Sequence, residues 1–332
     1  MSSMECVIAV HAGAGYQKIT KEANYKKICM KACKKGLEVL KNNGSALDAV
    51  ALATMVLEDS PLTNAGYGSN LTWNGAVECD ASIIDGSNMH YGGVGAVSGI
   101  KNPISLAKLI CENQNLKMSF GRIPPCLLVG LGAHEYAIAN NIVAVDPSNL
   151  ISEKSKKDFV HNKYKVINQK YSNFQAGKPR LDTVGCVGMD KFGNVAASSS
   201  SGGILLKQDG RIGQAALLGS GCWAQMSDDV AMAITTSGCG EYLIKTNLAK
   251  EMSRHLFTST CPTIAITKCF NEDFLRALVL YKNKDCCEIL SAHTTKSMCI
   301  AYATENDRKS FVSRLMANTL PGTSVMVQGY PL

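Results

Sequence analysis

LDTVGCVGMDKFGNVAASSSSGG, residues 181–203, is the stretch that decides the fold. TVGCVGMD (183–190) and NVAASSSS (194–201) read as two strands, and Lys191, Phe192 and Gly193 between them suit a hairpin turn. A threonine opens the first strand directly after a long basic segment. Inside a chain its hydroxyl is a poor nucleophile without a neighbouring base. At a free N-terminus it acquires one, its own α-amine, whose unperturbed pKa of about 7.7–8.0 lies close to a working pH. A Thr with its own amine is a nucleophile–base unit. Scission between Asp182 and Thr183 would therefore create a catalytic group. Taken alone, Thr183 is an ordinary strand residue, and the neighbouring motifs decide between the two readings.

Upstream, residues 151–182 carry eight basic and three acidic residues, so +5 of the chain's +7 lies there (34 Lys and Arg against 27 Asp and Glu). With weak apolar periodicity and the breakers Gly177 and Pro179, this segment reads as an exposed linker, partly helical near its start. It is a solvated spacer or, in a functional reading, a basic address for nuclear import or for an acidic partner. Before it, strands and helices alternate: strands at 5–11, 77–85 and 92–98, helices at 21–40, 46–57, 103–111 and 125–140. After the hairpin come a strand at 229–237, a helix at about 241–251, and strands near 275–281, 285–292, 297–303 and 323–328. These elements fit two stacked sheets with helices on both outer faces.

Composition narrows the function classes. The chain has 332 residues, 46% hydrophobic and 18% charged, which suits a globular protein. No window of about 18 apolar residues occurs, so no membrane-spanning helix is expected. The start, MSSMECVIAV, lacks a basic region ahead of its short apolar run and reads as a first strand rather than a signal peptide. The 14 cysteines are scattered without a CxxC pair, which favours small buried thiols over a disulfide framework or a zinc site. HAGAG (11–15) and GGVGAVSG (92–99) lack the third glycine of a dinucleotide fingerprint, and no GxSxG elbow is present. The six histidines show no metal spacing and are read as structural hydrogen-bonders. The basic charge lacks an aromatic-interleaved platform, so direct nucleic-acid binding is not expected.

HAGAGY (11–16), EDSPLTNAGYGSNL (58–71), ECDASIIDG (78–86), GAVSGIKNP (95–103), GRIPPC (121–126), LDTVG (181–185), SSGG (200–203), GRIGQAALLGSGCWA (210–224), TSGCGE (236–241) and HTTKSMC (293–299) resemble, in order, the threonine aspartases, the taspase branch of the type 2 asparaginases. The resemblance implies an α+β fold, a four-layer αββα sandwich of the N-terminal-nucleophile hydrolases. The whole chain, 1–332, would be one domain, cut by itself into an α subunit (1–182) and a β subunit (183–332). Thr183 matches the nucleophile, and Ser201 the position of a hydroxyl that contacts it. Ser237 and Gly238 match the oxyanion pair, Arg211 the residue that holds the substrate carboxylate, Gly13 a pocket-lining glycine, and Lys21 a second basic residue. Asn64 matches a loop that supports processing at Asp182–Thr183.

One departure concerns the substrate. Asparaginases and glycosylasparaginases read GRxGD, the Asp binding the free α-ammonium of the substrate, whereas this chain reads GRIGQ with Gln214 in its place. A neutral amide cannot offset a desolvated ammonium, but it can bond a peptide amide. The expected activity is therefore cleavage after Asp within a polypeptide. The rival readings are a small-molecule asparaginase or isoaspartyl peptidase, and a catalytically silent binding protein of the same fold. The resemblance further implies no metal or organic cofactor, protein substrates among nuclear transcription regulators such as trithorax-type methyltransferases, residence in nucleus and cytoplasm, and a dimer of αβ units. Two further departures are a basic linker shorter than in some taspases and Arg276 and Ala277 where many members carry Gly-Gly, which bears on a late strand.

Overall fold

A computed structural model describes residues 5–15, 19–168, 181–259, 261–270, 276–284, 286–322 and 324–332. In chain order the first half runs β1 (Val7–Gly15), α1 (Glu22–Lys41), α2 (Ala46–Glu58), β2 (Cys79–Asp85), β3 (Tyr91–Val97), α3 (Pro103–Asn113), β4 (Leu127–Val129), α4 (Gly130–Ala139) and α5 (Glu153–Asn168). The second half runs β5 (Leu181–Met189), β6 (Val195–Ser201), β7 (Cys222–Met226), β8 (Ala231–Thr236), α6 (Gly240–Thr246), α7 (Leu248–Thr258), α8 (Pro262–Phe270), β9 (Arg276–Lys282), β10 (Cys287–His293), β11 (Ser297–Thr304), β12 (Arg308–Arg314) and β13 (Met326–Pro331).

The strands form an eight-stranded sheet, β12-β11-β1-β5-β6-β2-β3-β4, and a five-stranded one, β13-β10-β9-β8-β7. β1 shows why two layers of strand sit back to back. Cys6, Ile8, Val10 and Ala12 point into one core cluster and Val7 and Ala9 into another, so alternate side chains bury both faces. Helices α1, α2 and α3 cover the outer face of the large sheet, and α7 and α8 that of the small one. This is the expected αββα sandwich. β1, from the first half, lies hydrogen-bonded between β11 and β5, from the second, so the halves on either side of Asp182–Thr183 interleave in one sheet.

Several elements differ from the sequence reading. The expected helix over 125–140 opens with a short strand, because Leu127–Val129 pairs in parallel with Gly93, Val94 and Gly95. The helix follows only from Gly130, at φ +54°. The expected helix at 241–251 is broken at Asn247, which sits in the left-handed region at φ 48° and separates α6 from α7. β7, β12 and α8 carry no signal that the sequence reading found, and the last strand lies at 326–331. The basic segment is not wholly an exposed spacer. Residues 153–168 form α5, held down where Lys163 donates to the Trp73 carbonyl at 2.7 Å and lies 5.1 Å from the ring centres of Trp73 and Phe159. Its remainder up to 180 lies outside the described residues, and residues 181–182 already belong to β5.

Candidate active site

The two hairpin strands set the site. β5 and β6 pair antiparallel with Val184 opposite Ser200, and Val187 and Ala197 project into the core cluster shared with the small sheet. Thr183 and Ser201 follow the same alternation, so both hydroxyls lie on the inter-sheet face, whereas Ser198 and Ser200 point towards α2. The sheets come very close here. A Cβ on Gly185 would sit 2.0 Å from the Thr235 hydroxyl oxygen and 2.6 Å from His11 Nε2, so only glycine is tolerated at that position. His11 itself lies 3.4 Å from that hydroxyl.

Three of the expected site residues meet directly. The Thr183 hydroxyl donates to Ser201 Oγ at 3.2 Å and accepts from Gln214 Nε2 at 3.0 Å. Ser201 Oγ also accepts from the Gly203 amide at 3.0 Å. All three side chains are buried. Asn64 clamps the turn that follows Ser201: its Nδ2 donates to the Gly203 carbonyl at 2.8 Å and its carbonyl accepts from the Gly202 amide at 2.9 Å. Gly13 is not part of a loop after a strand. HAGAG lies within β1, at a register shift between His11 and Ala14, and Gly13 has φ +80°. A Cβ there would lie 2.7 Å from the Asp182 Cα, so Gly13 supports the residue preceding Thr183.

Arg211 stands a short distance off. Its Nη1 lies 3.1 Å and 3.0 Å from where Gly203 and Gly213 would carry a Cβ, and its Nη2 lies 2.7 Å from that of Gly240. Gln214 Oε1 is 2.9 Å from the same Gly240 position, which brings the guanidinium to the amide that touches Thr183. Ser237 is fully buried, one residue past the end of β8 and two past Thr235. Gly238 packs near Leu243, and α6 begins at Gly240, so Gly238 precedes the helix rather than opening it. Lys21 ends a short 3₁₀ turn before α1 and is half-buried, and among the described residues its side chain joins neither Thr183 nor Arg211 by hydrogen bond or ion pair. β5 spans the Asp182–Thr183 bond, so the scission expected there would fall within a strand.

Four charged residues around this cluster escaped the sequence reading. Lys207 is only 1% exposed and donates to the Glu78 carbonyl at 2.9 Å. Asp80 is fully buried, and its carboxylate accepts from the Ala96 amide at 2.9 Å and the Gly213 amide at 2.8 Å. Burial pushes its pKa up, and Lys207, the two amides and Arg211 pull it back. Glu241 ion-pairs with Arg211 at 2.7 Å. Glu58, at the end of α2, accepts from Ser200 Oγ at 2.7 Å and the Ile104 amide at 3.1 Å. The buried-charge signal was absent from the sequence, where ECDAS and EDSPL offer carboxylates without saying which are covered.

Glu58 leads to a pH prediction. Burial raises its pKa to about 8, against the donors Ser200 and Ile104 that act to lower it. The folded state then keeps a proton that the unfolded chain loses near pH 4.5. Its contribution is fully present below about pH 4.5 and lost as pH rises through about 8. At ~1.4 kcal/mol per pKa unit, the loss approaches ~5 kcal/mol. Urea unfolding from pH 5 to 9 is expected to show this decline, and Glu58→Gln is expected to flatten it.

Comparison with known proteins identifies the family. The family model described as Asparaginase (Asparaginase_2) matches residues 4–312. An isoaspartyl peptidase/L-asparaginase of Xenopus laevis is 40% identical over 261 residues, 78% of each chain. The human protein of that name is 37% identical over 254 residues, 76% of this chain and 77% of the relative. An isoaspartyl peptidase of Salmonella typhimurium is 32% identical over 267 residues, 75% and 78% of the two chains. These relatives bear the name of the rival enzyme reading, and none of the three is named a threonine aspartase.

Proposed function

The chain belongs to the Asparaginase family, hydrolases of the N-terminal-nucleophile type, and from that premise we propose that it is a threonine endopeptidase cutting after Asp and matured by its own scission at Asp182–Thr183. The observation that carries the reading is the 3.0 Å hydrogen bond from the Gln214 amide to the Thr183 hydroxyl. A neutral amide stands against the nucleophile where related asparaginases place an Asp for the substrate's α-ammonium. A peptide-bonded Asp carries no such ammonium, so it loses nothing there, whereas a free amino acid would leave its charge uncompensated.

In the unsplit chain, Thr183 Oγ attacks the Asp182 carbonyl, the acyl group shifts from nitrogen to oxygen, and water hydrolyses the ester. This frees the Thr183 amine. In the mature enzyme the amine takes the hydroxyl proton, and Oγ attacks the carbonyl of a substrate Asp whose side chain meets Arg211. Ser201 holds the hydroxyl's orientation, and Ser237 with the Gly238 amide receives the oxyanion. The amine returns its proton to the leaving amide nitrogen, and water then releases the acyl group. Lys21, which among the described residues joins neither Thr183 nor Arg211 by hydrogen bond or ion pair, is given a second-cation role by the resemblance alone. The same resemblance supports protein substrates among nuclear transcription regulators, residence in nucleus and cytoplasm, and a dimer of αβ units. Exposed Phe120, Ile123 and Leu131 offer apolar surface for such pairing.

The second reading, an isoaspartyl peptidase or L-asparaginase, is favoured by the names of the relatives. One panel separates the two. Purified, processed protein is offered a blocked peptide with an internal Asp, an isoaspartyl dipeptide and free asparagine. Cleavage of the blocked peptide at Asp with little turnover of the other two is expected. Rapid hydrolysis of the dipeptide or asparagine, with the blocked peptide intact, selects the second reading.

A further inference from the structure

Arg211 does not stand in the site alone. Glu241 Oε1 accepts from Arg211 Nε at 2.9 Å and from Nη2 at 2.7 Å, so a single oxygen takes one whole edge of the guanidinium. The Arg211 side chain is 15% exposed and that of Glu241 52%, so the carboxylate reaches in from the rim to a cation that is mostly covered. Its other oxygen accepts from Cys239 Sγ at 3.5 Å, which anchors it to the start of α6. Nη1 faces the other way, against Gly203, whose amide bonds Ser201 beside Thr183. Glycine at 240 is needed for this arrangement, because a Cβ there would press on both Nη2 and Gln214 Oε1.

The geometry points to Glu241 as a positioning residue that holds Arg211 by its Nε–Nη2 edge and leaves the Nη1 end to bind the substrate's aspartyl carboxylate. This rests on the reading of Arg211 as the carboxylate holder. A long guanidinium side chain samples many rotamers, and fixing it before binding lowers the ordering cost that the substrate would otherwise bear. An incidental rim salt bridge would be worth little and would not change substrate affinity selectively. A carboxylate that merely competed with substrate for Arg211 would weaken binding, so its removal would tighten it. The three roles differ in what they do to KM.

The test uses the processed enzyme, with steady-state kinetics on a blocked peptide with Asp at the cleaved position and a matched peptide with Asn there. Glu241→Ala is expected to raise KM for the Asp peptide ~10-fold with kcat changed by less than ~3-fold, as for loss of uniform binding, and to erode the Asp-over-Asn preference. Glu241→Gln, which keeps an oxygen acceptor for both nitrogens, is expected to restore most of that KM. Arg211→Ala is run alongside. If it abolishes the Asp preference while Glu241→Ala leaves KM unchanged or lowers it, the positioning role is overturned and the carboxylate reading of Arg211 stands. If Arg211→Ala leaves the Asp preference intact, that reading itself falls, and this inference with it. The extent of splitting into two chains reports whether each variant folds. Should Glu241→Ala remain unsplit, Glu241→Gln and Glu241→Asp decide: a KM near the parent value for Gln with a raised one for the shorter Asp supports the role, and equal values for the two overturn it.

Discussion

Thr183→Ala is expected to yield a single unsplit chain with no measurable hydrolysis, a loss on the order of 10⁴-fold or more, because it removes the oxygen that attacks in both proposed steps. The parent protein is expected to run as two chains, and sequencing of the shorter one is expected to begin at Thr183. Thr183→Ser keeps a hydroxyl and, after scission, an amine, so slow splitting and reduced activity are expected. The buried surroundings sharpen the contrast. With alanine, Gln214 Nε2 and Ser201 Oγ both lose the partner that now links them at 3.0 Å and 3.2 Å. Normal splitting by Thr183→Ala, read on a denaturing gel after long incubation, would remove the basis for the proposed chemistry.

Asp80→Ala is expected to cost about 1–3 kcal/mol, the range for leaving buried donors without their acceptor. Lys207 would be left 1% exposed, with the Glu78 carbonyl still bonded but the nearby negative charge gone. The amides of Ala96 and Gly213 would lose their acceptor as well. Gly213 lies between Arg211 and Gln214 by two positions and one, so the damage is expected to reach the site, with weaker substrate binding in whatever protein folds. Urea unfolding of Asp80→Ala, Lys207→Met and the double variant forms a thermodynamic cycle. The double variant is expected to be less destabilised than the sum of the singles, since it leaves no lone charge. Strict additivity would show that the two groups do not interact.

The fold was legible to different depths in different places. β1, β5 and β6 were readable because their alternation and small residues match a two-sided buried strand. β4 was not, because its three residues are defined by pairing with β3, a partner distant in sequence. The break at Asn247 is likewise set by its surroundings: a Cβ on Gly219 would lie 2.5 Å from Asn247 Oδ1, and Lys250 donates its amide to the Gly219 carbonyl. Local periodicity carries no trace of either. The candidate nucleophile and its neighbours were legible through their motifs, whereas Glu58, Asp80, Lys207 and Glu241 were ordinary charged letters until their burial and partners were known.

By itself the amino-acid order determined the family frame: a basic segment ending at Asp182, a threonine at the head of a strand, and Gln214 where related asparaginases carry an acid. Covalent order alone decides which hydroxyl would gain an amine on scission. Only the tertiary structure decided which charges stand around that hydroxyl. Lys207, Asp80, Glu241 and Arg211 come from three separate stretches, and their effect depends on distance and on exclusion of water, neither of which is written in sequence spacing.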